Sequence, residues 1–177
     1  MWQAEDNATL QGLDGRATPA CYSQGPGSVD YMFFLGPDNA VNVYWIDTAV
    51  DNQNSSSKHS LNTWTNSSIA IPNVDSTATL AYANGYLYAQ GKFDHIIGGY
   101  DIQLNAEKTS AKSIYANSQT VINQNPGMPG TGLAIIEQGD DILVVFQTGG
   151  GDLLQLKGRS DAAASSWAGT VIGVPYE

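Results

Sequence analysis

Three ring-bearing residues recur along the chain at nearly constant steps of 51 and 52: Trp64, Tyr115 and Trp167. Each opens a similar run. Trp64-Thr65-Asn66-Ser67-Ser68-Ile69-Ala70-Ile71, Tyr115-Ala116-Asn117-Ser118-Gln119-Thr120-Val121-Ile122 and Trp167-Ala168-Gly169-Thr170-Val171-Ile172-Gly173-Val174 all pass from an aromatic through small residues to a β-prone segment. Rings at equivalent places either pack between neighbouring sheets or line pockets and stack on a sugar or another flat ligand. Gln103 and Gln155 recur at a step of 52, within Ile102-Gln103-Leu104 and Leu154-Gln155-Leu156. An amide at such a position can bond to the adjoining strand or to a ligand. Trp45 and Tyr88, on two other predicted strands, are further candidate pocket rings.

The remaining reactive side chains are few. His59 stands beside Lys58 in a polar stretch and reads as exposed. His95 follows Lys92-Phe93-Asp94, and Asp94 could orient it. His95 is therefore the weak candidate for a general acid or hydrogen-bond donor, set against a simple turn histidine. Cys21 is the one cysteine, which rules out an intrachain disulfide; it reads as a small buried hydrophobe. Asp140 and Asp141 beside Gly139 read as a hairpin turn. There is no Asp-x-Asp-x-Asp-Gly loop, His-x-x-x-His pair or cysteine cluster, so neither metal nor cofactor is expected. The Gly149-Gly150-Gly151 run joins two strands, the wrong setting for a phosphate.

The elements that must hold these residues follow from composition. The chain has 177 residues, of which 14% are charged, and it is rich in Gly, Ser, Thr and Asn. Many strands and turns suit that mixture better than long helices. Seven basic against 17 acidic residues give a net charge of −10, with no basic cluster to neutralise a phosphate backbone or an anionic membrane. Nucleic acid and membrane are thus not expected as partners. Asn7-Ala8-Thr9, Asn54-Ser55-Ser56 and Asn66-Ser67-Ser68 are glycosylation sequons, from which a secreted chain is expected.

A period near fifty is the length of four short strands with turns. Short apolar runs fit that frame. Tyr31-Met32-Phe33-Phe34, Thr79-Leu80-Ala81-Tyr82 and Leu133-Ala134-Ile135-Ile136 are read as first strands. Val41-Asn42-Val43-Tyr44-Trp45, Tyr86-Leu87-Tyr88-Ala89 and Ile142-Leu143-Val144-Val145-Phe146 are read as second strands. Turn residues part each pair: Gly36-Pro37-Asp38-Asn39, Asn84-Gly85 and Gly139-Asp140-Asp141. The expected fold is all-β: a propeller-type repeat of about three four-stranded blades over 29–74, 75–130 and 131–177. Residues 1–28 supply a strand for a neighbouring blade and a loop. Three blades leave an open edge, so a second chain or chain segment is expected to close the ring, most simply as a homo-oligomer.

Thr131 to Gln147, Asp152-Leu153-Leu154-Gln155-Leu156 and Ser166-Trp167 together resemble one blade of the fungal fucose-specific lectins. The resemblance extends over roughly residues 29–174 as a pattern. It implies a six-bladed propeller, closed by oligomerisation in smaller relatives, with sugar sites between adjacent blades. In that family an arginine on the second strand, a glutamate on the third and a following Trp or Tyr hold the sugar. Here Leu143, Asn42 and Leu87 stand at the arginine position, and Gln103 and Gln155 at the glutamate position. Of the pattern, the rings Trp64, Tyr115 and Trp167 remain.

Two functions of different class follow. One is a secreted lectin-like protein that binds a carbohydrate or other small ligand in several similar inter-blade aromatic pockets. The other is an enzyme, similar to the secretory-type pericyclases of fungal natural-product clusters. A hetero-Diels–Alder catalyst of that kind needs no metal or nucleophile; it needs one dry aromatic pocket and a hydrogen-bond donor such as His95.

Overall fold

A computed structural model describes residues 18–23, 29–36, 38–47, 65–77, 79–102, 119–121, 126–159 and 167–173. They form three four-stranded antiparallel sheets. The first holds β1 (Ala20–Ser23), β2 (Val29–Leu35), β3 (Val41–Asp47) and β4 (Thr65–Ile71). The second holds β5 (Ala81–Ala83), β6 (Tyr86–Gln90), β7 (Ile97–Asp101) and β8 (Gln119–Val121). The third holds β9 (Ala134–Gln138), β10 (Asp141–Gln147), β11 (Leu153–Gly158) and β12 (Ala168–Ile172). No helix occurs among the described residues. The expected all-β architecture of consecutive four-stranded sheets is what the chain adopts.

The sheets stack face to face in chain order. A first core of Phe33, Leu35, Val41, Val43, Ile71, Leu87 and Ala89 lies between sheets one and two. A second, with Tyr88, Ile97, Ile142, Val144, Phe146, Leu154 and Leu156, lies between sheets two and three. Strand β6 shows why the sequence reads as a continuous apolar run there. Leu87 and Ala89 enter the first core and Tyr88 the second, so the middle sheet is covered on both faces. Strand β10 alternates instead: Ile142, Val144 and Phe146 are buried and the residues between them half-exposed. Strand β5 touches both β1 and β9, which makes the first strand of each sheet the inner one.

Turn chemistry fixes the hairpins. Asn84 and Gly85 take φ of 46° and 84°, the paired left-handed conformation of a two-residue hairpin, and Gly139 takes 63°. The turns between second and third strands form a matched set. Each is closed by a bond from its first N–H to its last carbonyl: Gly36 to Ala40, 2.8 Å; Gly91 to Ile96, 2.9 Å; Thr148 to Asp152, 2.8 Å. The residue before the last is left-handed in all three, as Asn39 (59°), His95 (55°) and Gly151 (94°). Asparagine and glycine adopt this conformation readily; a histidine does so at some cost.

Three expectations change. The strand before residue 29 does not complete a neighbouring blade: β1 pairs with β2 from Ala20↔Phe33 to Ser23↔Asp30, within the first sheet. Tyr31 to Phe34 is consequently a second strand and Val41 to Trp45 a third. The hydrophobic run is longest in β2 because, like β6 and β10, it is an interior strand of its sheet. The match of Ile102-Gln103-Leu104 to Leu154-Gln155-Leu156 is out of register. Gln155 is the third residue of β11, a place held in β7 by Gly99, whereas Ile102 already lies beyond the end of β7. Cys21 is exposed rather than buried, because alternation along β1 turns Ala20 and Tyr22 toward the core and Cys21 away from it.

Of the three repeated rings only Trp167 is described, and the residues that follow Trp64 and Trp167 take equivalent places in their sheets. Thr65, which follows Trp64, pairs with Trp45, the fifth residue of β3; Ala168, which follows Trp167, pairs with Lys157, the fifth residue of β11. A register shift between Asn42 and Tyr44 absorbs the extra length of β4.

Candidate functional site: a cleft between the first two sheets

The chain passes from β4 to β5 through residues 72–80, and this connection runs alongside the turn between β6 and β7. The Asp75 N–H donates to the Gln90 carbonyl (2.9 Å), the Lys92 N–H donates to the Asn73 carbonyl (2.8 Å), and Val74 bridges Gly91. These bonds fix two walls of a cleft of about 350 Å³, lined by Ile71, Pro72, Asn73, Gly91, Lys92, Phe93, Asp94 and Tyr100. That is the size range of small-ligand sites.

Its mouth is built by one turn. Phe93 is 77% exposed, unusual for a ring of its size, and the Lys92 ammonium lies 5.6 Å from its centroid. The Asp94 Oδ1 accepts from the Ile96 N–H (3.1 Å), which folds the carboxylate back over the turn. Gly91 permits this, since a Cβ there would collide with that same oxygen. Asn73, left-handed at φ 62°, lines the opposite wall. Tyr100 lies behind; burial first, and then the Asp94 charge, hold its hydroxyl above the ordinary tyrosine range, so it remains a donor. A phenylalanine, a lysine, an aspartate, an asparagine and a tyrosine thus line one cleft.

The turn is anchored from below. The Gln90 side chain is fully buried; its Nε2 donates to the carbonyls of His95 (3.1 Å) and Met128 (3.0 Å), and its Oε1 accepts from the Gly130 N–H (3.0 Å). The His95 carbonyl also accepts from the Gly127 N–H (2.8 Å). The His95 Nδ1 lies 3.4 Å from Asp75 Oδ2, while Asp75 Oδ1 accepts from the N–H (2.8 Å) and hydroxyl (2.7 Å) of Thr77. His95 is therefore the left-handed turn residue and a brace between two connections. It is not among the residues that line the cleft.

The same scaffold recurs between sheets two and three without the side chains. The Met128 N–H donates to the Gln147 carbonyl (2.8 Å), the Gly149 N–H to the Pro126 carbonyl (3.3 Å), and Gly127 bridges Thr148. Where the second sheet's turn carries Lys92, Phe93 and Asp94, the third has Gly149 and Gly150. The two inter-sheet places match in backbone and differ in chemistry.

The residues singled out by spacing fall elsewhere. Tyr88 is wholly buried, and Trp167, 8% exposed, packs edge-on to it with centroids 6.4 Å apart. An enclosed ring has no surface to offer a ligand, so this pair serves the second core in the state described. Gln155 is half-buried on β11, on the face turned away from the second core. Trp45 is partly buried against the first core, on a rung with Tyr31, which pairs in turn with Tyr22. Tyr82 meets them from the second sheet, 4.5 Å from Tyr22 and 5.1 Å from Phe33. Trp64, Gln103, Tyr115, His59 and the sequon residues Asn7 and Asn54 lie outside the described residues; Asn66 pairs with Tyr44 in β4. The positions assigned to the lectin arginine are not equivalent. Asn42 is on a third strand, Leu87 faces the first core, and Leu143 faces away from the second. The Lys92-Phe93-Asp94 turn was missed. Its signal is a phenylalanine between two charges inside a turn whose counterparts read Gly-Pro-Asp-Asn and Gly-Gly-Gly.

No protein-family model and no curated protein matches this chain. Solved structures do. The chain is similar to the SapL1 lectin, solved in complex with alpha methyl fucoside, at 14% identity and a TM-score of 0.53, over 86% of this chain and 45% of that one. It is similar also to the fungal Aleuria aurantia lectin, a six-bladed β-propeller with a novel fucose recognition mode, at 18% identity and a TM-score of 0.51, over 89% of this chain and 46% of that one. The chain thus spans about half the length of either, and the likeness identifies its three sheets as consecutive blades of a β-propeller.

Proposed function

We propose that this chain is a lectin-like binding protein that takes a carbohydrate, or a small ligand of similar shape, in the cleft between its first two blades. One observation carries the reading: the exposed Phe93 stands between Lys92 and Asp94 at the mouth of a cleft whose walls are tied by backbone hydrogen bonds. An aromatic face takes the C–H side of a pyranose, and flanking charged and amide groups take its hydroxyls. The alpha methyl fucoside in complex with the SapL1 lectin and the fucose recognition of the Aleuria lectin support sugar as the ligand class. Secretion, with glycans at Asn7, Asn54 and Asn66, belongs to the same reading, as does completion of the ring by a second chain or a further chain segment.

The pericyclase alternative draws support from the unequal clefts, since an enzyme needs one armed pocket rather than several alike. Against it, the lining is about half polar and opens to solvent at Lys92, Phe93 and Asp94. A cycloaddition profits from a dry enclosure.

The test is a titration with methyl glycosides followed by amide NMR. Ligand shifts should cluster at Asn73, Lys92, Phe93 and Asp94, and Phe93→Ala should weaken binding about tenfold, the effect of losing one stacking contact. Shifts confined to other residues, or none with any sugar, would sink the proposal.

A further inference from the structure

Resting on that reading, we infer that the cleft selects acidic sugars, pyranosides bearing a carboxylate, over their neutral counterparts. The chain carries only seven Lys and Arg residues against 17 acids, so a free cation beside a ligand cleft is a scarce feature. The described cations are Lys92, Lys157 and Arg159, and Arg159 is engaged as well. Lys157 is committed to Asp141 at 3.1 Å. Lys92 rests over Phe93 and has no carboxylate within ion-pair distance among the described residues.

The neighbouring acid, exposed and lining the same cleft, offsets it only in part. Asp94 Oδ1 is engaged by the Ile96 N–H and lies close against Gly91. The Lys92 ammonium, beside the Phe93 ring, has no such bond among the described residues. A pyranose packed against Phe93 would place an exocyclic group within reach of the ammonium, which lies over that ring 5.6 Å from its centroid. A hydroxymethyl group there gives the ammonium one neutral acceptor; a carboxylate gives it a charged one, and charge-assisted bonds are the stronger. The Tyr100 hydroxyl, kept protonated by its burial and by Asp94, adds a donor and no opposing charge. The turn between β10 and β11, with Gly149 and Gly150 in these places, has no such cation, so the preference is a property of the first cleft alone.

The experiment compares methyl glucuronide and methyl galacturonide with methyl glucoside and methyl galactoside by calorimetry at neutral pH, on the full chain. The acids should bind about fivefold tighter, the size of one exposed charge pair. Lys92→Met keeps the apolar stem over Phe93 and should abolish that ratio, weakening binding of neutral sugars less than that of the acids. Raised salt should shrink the ratio in the parent and not in the variant. Neutral sugars binding as well as acids, or a preference that survives Lys92→Met, would overturn the inference and leave sugar binding standing. Failure of all four glycosides would remove the underlying reading and the inference with it.

Discussion

The indole of Trp167 occupies the space that a side chain on Gly158 would fill: a Cβ there would stand 2.5 Å from Cδ2 and 2.7 Å from Cγ of the ring. The ring lies flat on the backbone at the end of β11 and points its edge at Tyr88 across the second core. Gly158→Ala should therefore cost about 1–3 kcal/mol by overpacking. Trp167→Ala should cost about 3–5 kcal/mol by opening a cavity. The double variant should cost less than the sum, because removing the indole makes room for the methyl. Urea unfolding of the three proteins checks all three statements. Additive effects would show that the ring and the glycine do not meet.

Gln90 is a buried amide whose three bonds reach three backbone groups on two different connections. Replacing it with leucine keeps the volume and leaves one N–H and two carbonyls without that partner. The loss should be at least about 2 kcal/mol. Glutamate should be worse than leucine at neutral pH, since it sets a carboxylate oxygen against the His95 and Met128 carbonyls. Because Gln90 holds the turn that carries Phe93, sugar affinity should fall in both variants although the side chain touches no ligand. Thermal unfolding with glycoside titration tests this, and a Gln90→Leu protein of unchanged stability would refute it.

How much of this was legible beforehand depends on which physical signal each part leaves in sequence. Strand runs and the Asn84-Gly85 turn were readable because period-two burial and left-handed turn residues are local. The fifty-residue repeat was readable because each blade repeats four short strands and their turns. Register was not. The Gln103–Gln155 match fails because Gly99 holds the place in β7 that Gln155 holds in β11, and a slip of a few residues leaves a similar letter pattern. Strand order in the first blade failed for a related reason: β1, Ala20-Cys21-Tyr22-Ser23, is too short and too mixed to announce itself. The cleft was the hardest to foresee, because Asn73 and Lys92 meet only through the backbone bond between a connection and a turn.

Tyr82 links stability to alkaline pH. Burial is the first cause, followed by the charges of Tyr22, Tyr31, Asp101 and Glu137, and together they hold its hydroxyl well above the model-compound value of 10.0. The folded chain then grips that proton more tightly than the unfolded chain does. The stabilisation is complete below the unfolded value and is lost as pH rises above it toward the folded one. Urea midpoints should accordingly fall as pH climbs past about 10, where the unfolded tyrosine begins to ionise. Tyr82→Phe has no proton to lose and should flatten that decline, by up to one proton's worth of slope, about 1.4 kcal/mol per pH unit. Tyr100, raised in the same direction, should keep a smaller decline in place. Equal slopes in parent and variant would show that the hydroxyl is not enclosed as described.

The last blade presents an unfinished face. On the side of the third sheet away from the second core, one rung runs Ile136, Leu143, Lys157 and Ala168, the next Ala134, Val145, Gln155 and Thr170, and a third Gln147, Leu153 and Ile172. Ile136 is 54% and Ile172 40% exposed. The matching face of the second sheet is the one that builds the second core, so the third is chemically prepared for a further blade. A second copy meeting it with its first blade, twice about a common axis, would give six blades, the number in the Aleuria lectin. The expected mass in solution is accordingly twice the 18.8 kDa of one chain. Leu143→Lys with Ile136→Lys should return the chain to 18.8 kDa while far-ultraviolet dichroism stays that of a folded β protein. A parent protein that sediments as a monomer at micromolar concentration would defeat closure by self-association and leave a further segment of chain as the way to cover this face.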